Sequence, residues 1–305
     1  MIETTTATTS TSSVSRSGSY SGHEAVRPRT IGRVLARIAV YVILLLGGLV
    51  ALLPFLWLLR SSVMGPHQIF ISPPEWIPRP WTWSNYTESL TVIPFRQYLI
   101  NTLTIELFVV TGTVITSTLA GYSFARLRWP GRDIVFGILL ATMMLPYAVT
   151  LIPTFILWQK LGAINTYYPL TIPAWFGGGA FNIFLLRQFF RGIPRDLDEA
   201  AYLDGASPIR VLWEILLPLS RPALIVVAIF TFIGVWNDFL GPLIYLNDDD
   251  KFTLALGLAS FKGLYNAQWG YLMAASTAVI APVVVLFFLA QRYFIEGITL
   301  TGIKG

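Results

Sequence analysis

The chain of 305 residues contains no cysteine. That excludes a disulfide framework, a thiolate zinc cluster and a cysteine nucleophile together. Histidine occurs twice, as His23 and His67, both far from the hydrophobic runs. No HExxH helix, metal cluster or catalytic triad can be assembled from them. Lysine occurs four times, at 160, 251, 262 and 304, and none follows a glycine and precedes Ser or Thr. A Walker-type phosphate loop is absent, and nothing in the residue inventory argues for an enzyme. Charge is scarce as well. Only 12% of residues are Asp, Glu, Lys or Arg, against about 25% in soluble domains.

What fills the space is apolar: 54% of the chain is hydrophobic. A soluble domain of this length could not bury that much apolar side chain, so the bilayer has to serve as solvent for much of it. Six windows reach the length of about 20 apolar residues that a spanning helix needs. They run roughly Ala36–Leu59, Tyr98–Phe124, Ile134–Trp158, Pro169–Phe190, Ala223–Leu246 and Gly270–Tyr293. The second is rich in hydroxyls, with Thr102, Thr104, Thr111, Thr113, Thr116 and Ser117. Lipid offers hydroxyls no partner, so this helix is expected among other helices or against water. Residues 1–33 contrast with all of this. Thr4 to Ser21 is mostly Ser, Thr and Gly, with nothing to bury, and reads as a disordered tail. The apolar run near Ile38 continues for a full span, which reads as an uncleaved anchor rather than a removed leader.

Orientation follows from the basic residues. With the N-terminus inside, fifteen of the 21 Lys and Arg residues fall in the segments assigned to the cytoplasm. The positive-inside rule therefore favours both termini in the cytoplasm. The sorting by membrane side also argues against a nucleic-acid surface. Ser61–Gln97 then lies outside. It carries Pro73, Pro74, Pro78 and Pro80 among Trp76, Trp81 and Trp83, as an ordered segment along the membrane surface would. The Asn85-Tyr86-Thr87 sequon reads as chance.

The loop between the fourth and fifth windows, 191–222, is too long and too patterned to be a connector. Asp196 and Glu199 have capping-box spacing, and Gly205 stands where a left-handed helix cap belongs. Ser207 and Pro208 then open a second helix. Ile209, Leu212, Trp213 and Leu216 form one apolar stripe along it, and it ends before Pro218. The first helix is acidic and small: Glu199, Ala200, Ala201, Asp204 and, past Gly205, Ala206. It has no large apolar face to justify folding alone, so another protein is expected to pack on it. The bland alternative is an amphipathic helix on lipid headgroups, but headgroup binders are normally basic.

Glu199-Ala200-Ala201, three residues, Gly205, nine residues and Ile215-Leu216-Leu217-Pro218 resemble the "EAA" loop of ABC importer permeases. The likeness extends along residues 34–305. Trp236-Asn237-Asp238, Leu145-Pro146-Tyr147 and the tail Glu296–Gly305 are similar to the maltose-type carbohydrate subfamily, to its shorter, six-span permease. The resemblance implies an all-α polytopic membrane protein with six transmembrane helices of the type I importer fold, in a bacterial inner membrane. It implies a coupling helix at Glu199–Ala206 seated in an ATPase subunit. The implied partners are a second permease, a dimer of ATPases that hold the ATP and magnesium, and an extracytoplasmic sugar-binding protein. It further implies ATPase contact by the tail through Gly302, Lys304 and Gly305.

Two carboxylates fall within spans, Asp238 and Glu106. A charge at that depth normally faces water or a partner. One reading is a polar lining for the sugar path, with Asn237 beside Asp238 and Trp236 for ring stacking. The other is helix-to-helix hydrogen bonding or an interface charge. Pro146, Pro153 and Gly177-Gly178-Gly179 are expected to bend or loosen the third and fourth spans, either beside a cavity or through close packing.

Overall fold

The computed structural model describes residues 29–263 and 267–302, with side chains over 32–263 and 267–292. The Ser/Thr-rich leader, Lys304 and Gly305 lie outside the described residues, and Gly302 is described by its backbone alone. The regular structure of the described residues is helical, and no strand is formed among them. The chain divides into two compact units at Leu53–Pro54, within helix α1 (Arg29–Ser62). The first unit ends in the apolar stretch of α1, and its side chains from Val34 to Leu53 stand exposed. The helix begins at Arg29, ahead of the expected start at Ala36.

In the second unit, α2 (Ser84–Val92) precedes α3 (Phe95–Arg126), and α4 (Arg132–Thr142) and α5 (Tyr147–Lys160) follow. Next come α6 (Tyr168–Thr171), a 3-10 turn over Ile172–Trp175, and α7 (Ala180–Gly192). The loop helices are α8 (Asp196–Leu203), α9 (Pro208–Val211) and α10 (Leu217–Leu219), the last two joined by a π-helical turn at Leu212–Leu216. Beyond them lie α11 (Arg221–Trp236), α12 (Leu240–Tyr245), α13 (Leu254–Ala259) and α14 (Trp269–Gly302). Four helices or helix groups are long and apolar enough to cross a membrane, and six if each of two bent pairs is one span.

Helix α3 is the axis of this unit. It packs against α7, α11, the 3-10 turn and α13, and several of its hydroxyls are satisfied among helices as expected, whereas Thr118 Oγ1 is buried without a partner among the described residues. Thr102 donates to the Tyr98 carbonyl and accepts from the Leu254 N–H; Thr116 donates to Gly112 and Ala174 carbonyls. Glycine permits the closest approaches. A Cβ at Gly178 would lie 2.6 Å from the Thr113 carbonyl oxygen, and one at Gly112 would lie 2.7 Å from the Trp175 ring nitrogen. Gly178 is therefore explained by close packing, although all three glycines also have positive φ and interrupt the fourth span.

The third and fifth windows are broken rather than continuous. α4 and α5 meet at 99°. Proline at 146 cannot donate to the Thr142 carbonyl and its ring clashes there, so α4 stops at Thr142 and α5 starts afresh. In the fifth window, Asn237 bonds back to the Ile233 carbonyl and Asp238 accepts from the Gly241 N–H. Such local bonds compete with the helix ladder, and Pro242 removes the bond that would have bridged the gap. α11 alone has 16 residues, about 24 Å, short of a ~30 Å hydrocarbon core; the helical segment Pro208–Leu219 precedes it at 79°, and together the two form the second bent pair.

The Pro-Trp segment is ordered, as expected. The Arg60 guanidinium lies 4.3 Å from the Trp57 ring centre, and its Nε donates to the Glu75 carbonyl. Asn85 is buried and donates to the Ser62 and Met64 carbonyls, both at 2.9 Å. An amide so engaged is no glycan acceptor, which agrees with reading the sequon as chance.

Candidate functional site

The 191–222 loop forms two helical segments beneath one end of α3. Gly205 has φ of +82°. Its N–H bonds to the Tyr202 carbonyl at 3.0 Å and the next, of Ala206, to the Ala201 carbonyl at 2.9 Å. Together these make a Schellman cap, so the left-handed position read from the sequence is borne out. The capping box is not. Arg195 is the residue before the helix, and no side chain caps it. Asp196, Asp198 and Glu199 instead occupy the first turn, where carboxylates meet the positive end of the helix dipole.

The second segment also departs from the expected pattern. Val211, Leu212 and Leu216 are buried, whereas Ile209 and Trp213 are exposed. The cause is the π-helical turn. Its i→i+5 bonds widen the repeat, so the stripe drawn at 3.6 residues per turn splits across two faces. Pro218 lies within α10, so the segment runs on to Leu219 rather than ending before the proline.

Three bonds fasten the loop, all from α3. The Tyr122 hydroxyl donates to the Pro208 carbonyl at 2.8 Å. Arg126 Nη2 donates to the Ile193 carbonyl at 2.8 Å, and its Nη1 stands 3.3 Å from Asp198 Oδ2. The pair is enclosed, with side-chain exposures of 2% for Arg126 and 9% for Asp198. Burial pushes the Asp198 carboxyl above the usual carboxylate range, and Arg126 pulls it back. Desolvation outweighs attraction, so the pair fixes position more than it adds stability. Ala201 packs into the cluster of Tyr122, Leu186, Phe190, Leu212 and Leu216. Its small side chain lets α8 approach its own core rather than a partner. Glu199, Ala200, Leu203, Asp204 and Gly205 form the exposed side, and Leu203 is 89% exposed. Ala206 is half-buried. An exposed leucine at the tip of an acidic knob is a signal that sequence reasoning missed; so is Arg126.

The intramembrane residues have different surroundings. Trp236 is 3% exposed, stacks on Phe232 and donates to the Val279 carbonyl of α14 at 3.1 Å. It is a core residue and offers no ring to a sugar. Asn237 closes α11 on itself. Asp238 borders a cavity of about 30 Å³ with Thr102, Leu170 and Thr253, room for one water. Glu106 is buried, and neither of its oxygens has a hydrogen-bond partner among the described residues. The expected helix-to-helix hydrogen bond is therefore not made within the described residues. Among the described residues no cluster of His, Asp and Glu could hold a metal.

A bundle of spans around one hydroxyl-rich helix, with an acidic knob hung from that helix's end, defines a polytopic helical membrane protein. Residues 112–299 match the family described as binding-protein-dependent transport system inner membrane component, and the chain belongs to that family. It is 31% identical to the diacetylchitobiose uptake system permease protein NgcG of Streptomyces coelicolor, over 83% of this chain and 84% of that one. It is 34% identical to the trehalose/maltose transport system permease protein MalG of Thermococcus litoralis, over 89% and 98%. It is 32% identical to the sn-glycerol-3-phosphate transport system permease protein UgpE of Yersinia pestis, over 85% and 94%. A chain from the crystal structure of a bacterial ABC transporter that imports the polysaccharide alginate shares the fold. Its TM-score is 0.76 at 24% identity, over 87% of this chain and 98% of that one.

Proposed function

We infer that the chain is a membrane-spanning permease subunit of an ATP-driven carbohydrate importer. It would form half of the translocation path and couple that path to a separate ATPase dimer. The observation that carries this reading is the knob at Glu199–Gly205: capped by Gly205, exposed on its acidic side and tied by Arg126 and Tyr122 to the axial helix. A groove in an ATPase that received Leu203 and the carboxylates would move α3 with it. Ala201 and Ala206 shape the knob from within. The distribution of basic residues supports placing the knob and both termini in the cytoplasm.

A second permease is the natural cover for α4–α5. The turn between them leaves Met144, Leu145 and Tyr147 exposed on a broken span, and irregular backbone at membrane depth is tolerated only against protein or water. An extracytoplasmic binding protein would deliver the sugar.

The likeness to a glycerol phosphate permease favours a second reading, in which the cargo is a phosphorylated polyol. A phosphate would seek cations along its way, yet no Lys or Arg lies between Arg96 and Arg126 of α3 or between Arg221 and Lys251. A neutral sugar fits those apolar and hydroxyl-bearing stretches better.

The test is reconstitution of the affinity-purified complex in vesicles. An ATPase should copurify, and sugar uptake should require ATP and the binding protein. Uptake driven by a proton or sodium gradient without ATP would overturn the reading.

A further inference from the structure

Next to the knob, the five-residue link from α3 to α4 borders an open cleft of about 490 Å³. Arg128, Arg132 and Arg195 line it, with Trp129, Gly131 and Asp133. Only Arg132 is paired, its Nε 2.9 Å from Asp133 Oδ1. Arg128 and Arg195 make no ion pair among the described residues. The cleft also borders the start of α4, where Gly131 sits at φ +82° and no side chain caps the helix. Three guanidiniums against one carboxylate, beside an uncapped helix N-terminus, suit a phosphoryl anion.

The surroundings say which kind. The turns of α4 that follow expose Ile134 at 71%, with Val135 and Ile138 also turned outward. Trp129 is half-buried and donates from its ring nitrogen to Ser123 Oγ at 3.1 Å, in the manner of an aromatic at the headgroup level. A basic cleft that runs directly onto an apolar helix face matches a molecule with an anionic head and acyl tails.

We propose that the cleft between Arg128, Arg132 and Arg195 is a binding site for the headgroup of an anionic phospholipid, whose tails lie along α4. The carbonyl of Arg195 accepts the N–H groups of Asp198 and Glu199. A lipid held there therefore ties the first turn of α8 to the membrane surface. The site does not depend on what the chain transports, because lipid occupancy is read directly.

The test uses the full chain with its copurifying subunits, stripped of lipid and titrated with phosphatidylglycerol or phosphatidylcholine under native mass spectrometry. Each basic residue facing an anionic headgroup contributes about fivefold to association, so Arg128→Gln with Arg132→Gln should weaken phosphatidylglycerol binding by about 25-fold and leave phosphatidylcholine unchanged. Arg128→Lys with Arg132→Lys, which keeps the charge, should stay near the parent. Millimolar inorganic phosphate should not displace the lipid. Equal losses for both lipids, or an unchanged phosphatidylglycerol affinity in the Gln variant, would overturn the proposal. Displacement by free phosphate would instead make the cleft a soluble-anion site. Loss of the ATPase from the Gln variant with lipid binding intact would make it a protein contact.

Discussion

The two ends of α3 hold loops in different ways. At its start, Asn101 donates to the Asp250 and Phe252 carbonyls, at 2.8 and 2.9 Å, and Thr102 receives the Leu254 N–H. These are neutral bonds to backbone; nearby Asn165 accepts the Asn247 and Asp248 N–H groups and also donates to the exposed Asp248 carboxylate. At its other end, Tyr122 makes one such bond, but Arg126 and Asp198 form an enclosed ion pair. Neutral bonds fail gradually; a buried charge left alone does not. The second arrangement belongs where a loop must follow its helix as one body. The 32 residues of α3 span about 48 Å, so a displacement at Arg126 is carried to the far loop by one continuous rod.

The largest effect is expected from breaking that pair. Arg126→Leu strands Asp198 without water, and loss of one partner of a buried pair costs about 3–5 kcal/mol. Thermal unfolding of the purified complex should show it, and Asp198→Leu should match it. The double Leu variant should recover most of the melting temperature, because two apolar residues replace two charges. If ATP turnover then proceeds with little uptake in the double variant, the pair transmits motion; if uptake returns with stability, it is scaffolding only.

Gly205→Val should come next. Nothing stands within 4 Å of a Cβ there, so the cost is backbone strain, about 1–2 kcal/mol for a left-handed residue and more for a β-branched one. The knob would lose its turn, and ATPase copurification should fall several-fold. Gly205→Asn, which tolerates that conformation, should keep most of it. Loss as severe with Asn as with Val would mean that the partner needs the missing side chain rather than the turn.

The neutral end should be milder. Asn101→Ala removes two hydrogen bonds to backbone, each worth about 1 kcal/mol. The melting temperature should drop modestly while the uptake per ATP stays near the parent value. A change in that ratio as large as the Arg126 variants give would erase the distinction between the ends.

Much of this was legible in one dimension. Apolar run length places helices in every expected window, and Gly205, Ser207 and Pro208 mark the loop helices because each residue acts on its own backbone. The acidic cluster stood out against the positive-inside trend, which pointed to a partner protein and not to Arg126 of this chain. What sequence could not give were relations among distant positions. Arg126 and Asp198 lie 72 residues apart, and no periodicity links them. The π-helical turn at Leu212–Leu216 shifted the apolar stripe because its bond pattern is set by packing against α3 and α7. Trp236 reads as a membrane aromatic with a polar neighbour, yet its facing is decided by α14. Pro146 and Pro153 announced a bend in the third span but not a turn of 99°, and nothing in the fifth announced its break after Trp236.

The smallest expected effect concerns Asp238. Its Oδ1 accepts from the Gly241 N–H at 3.0 Å, and a Cβ at Gly241 would lie 2.4 Å from its Oδ2. Glycine at 241 and a short acceptor at 238 therefore depend on each other, as the start of α12 requires. Asp238→Ala should lower stability by about 1 kcal/mol through loss of that cap, with uptake reduced less than twofold. Gly241→Ala should reproduce the defect by displacing the carboxylate. The decisive variant is Asp238→Asn, whose amide oxygen can still accept from Gly241. A cap would leave both melting temperature and uptake unchanged. A polar lining for the sugar would instead shift the concentration dependence of uptake while the melting temperature stayed put, and would give this chain a share in substrate selection.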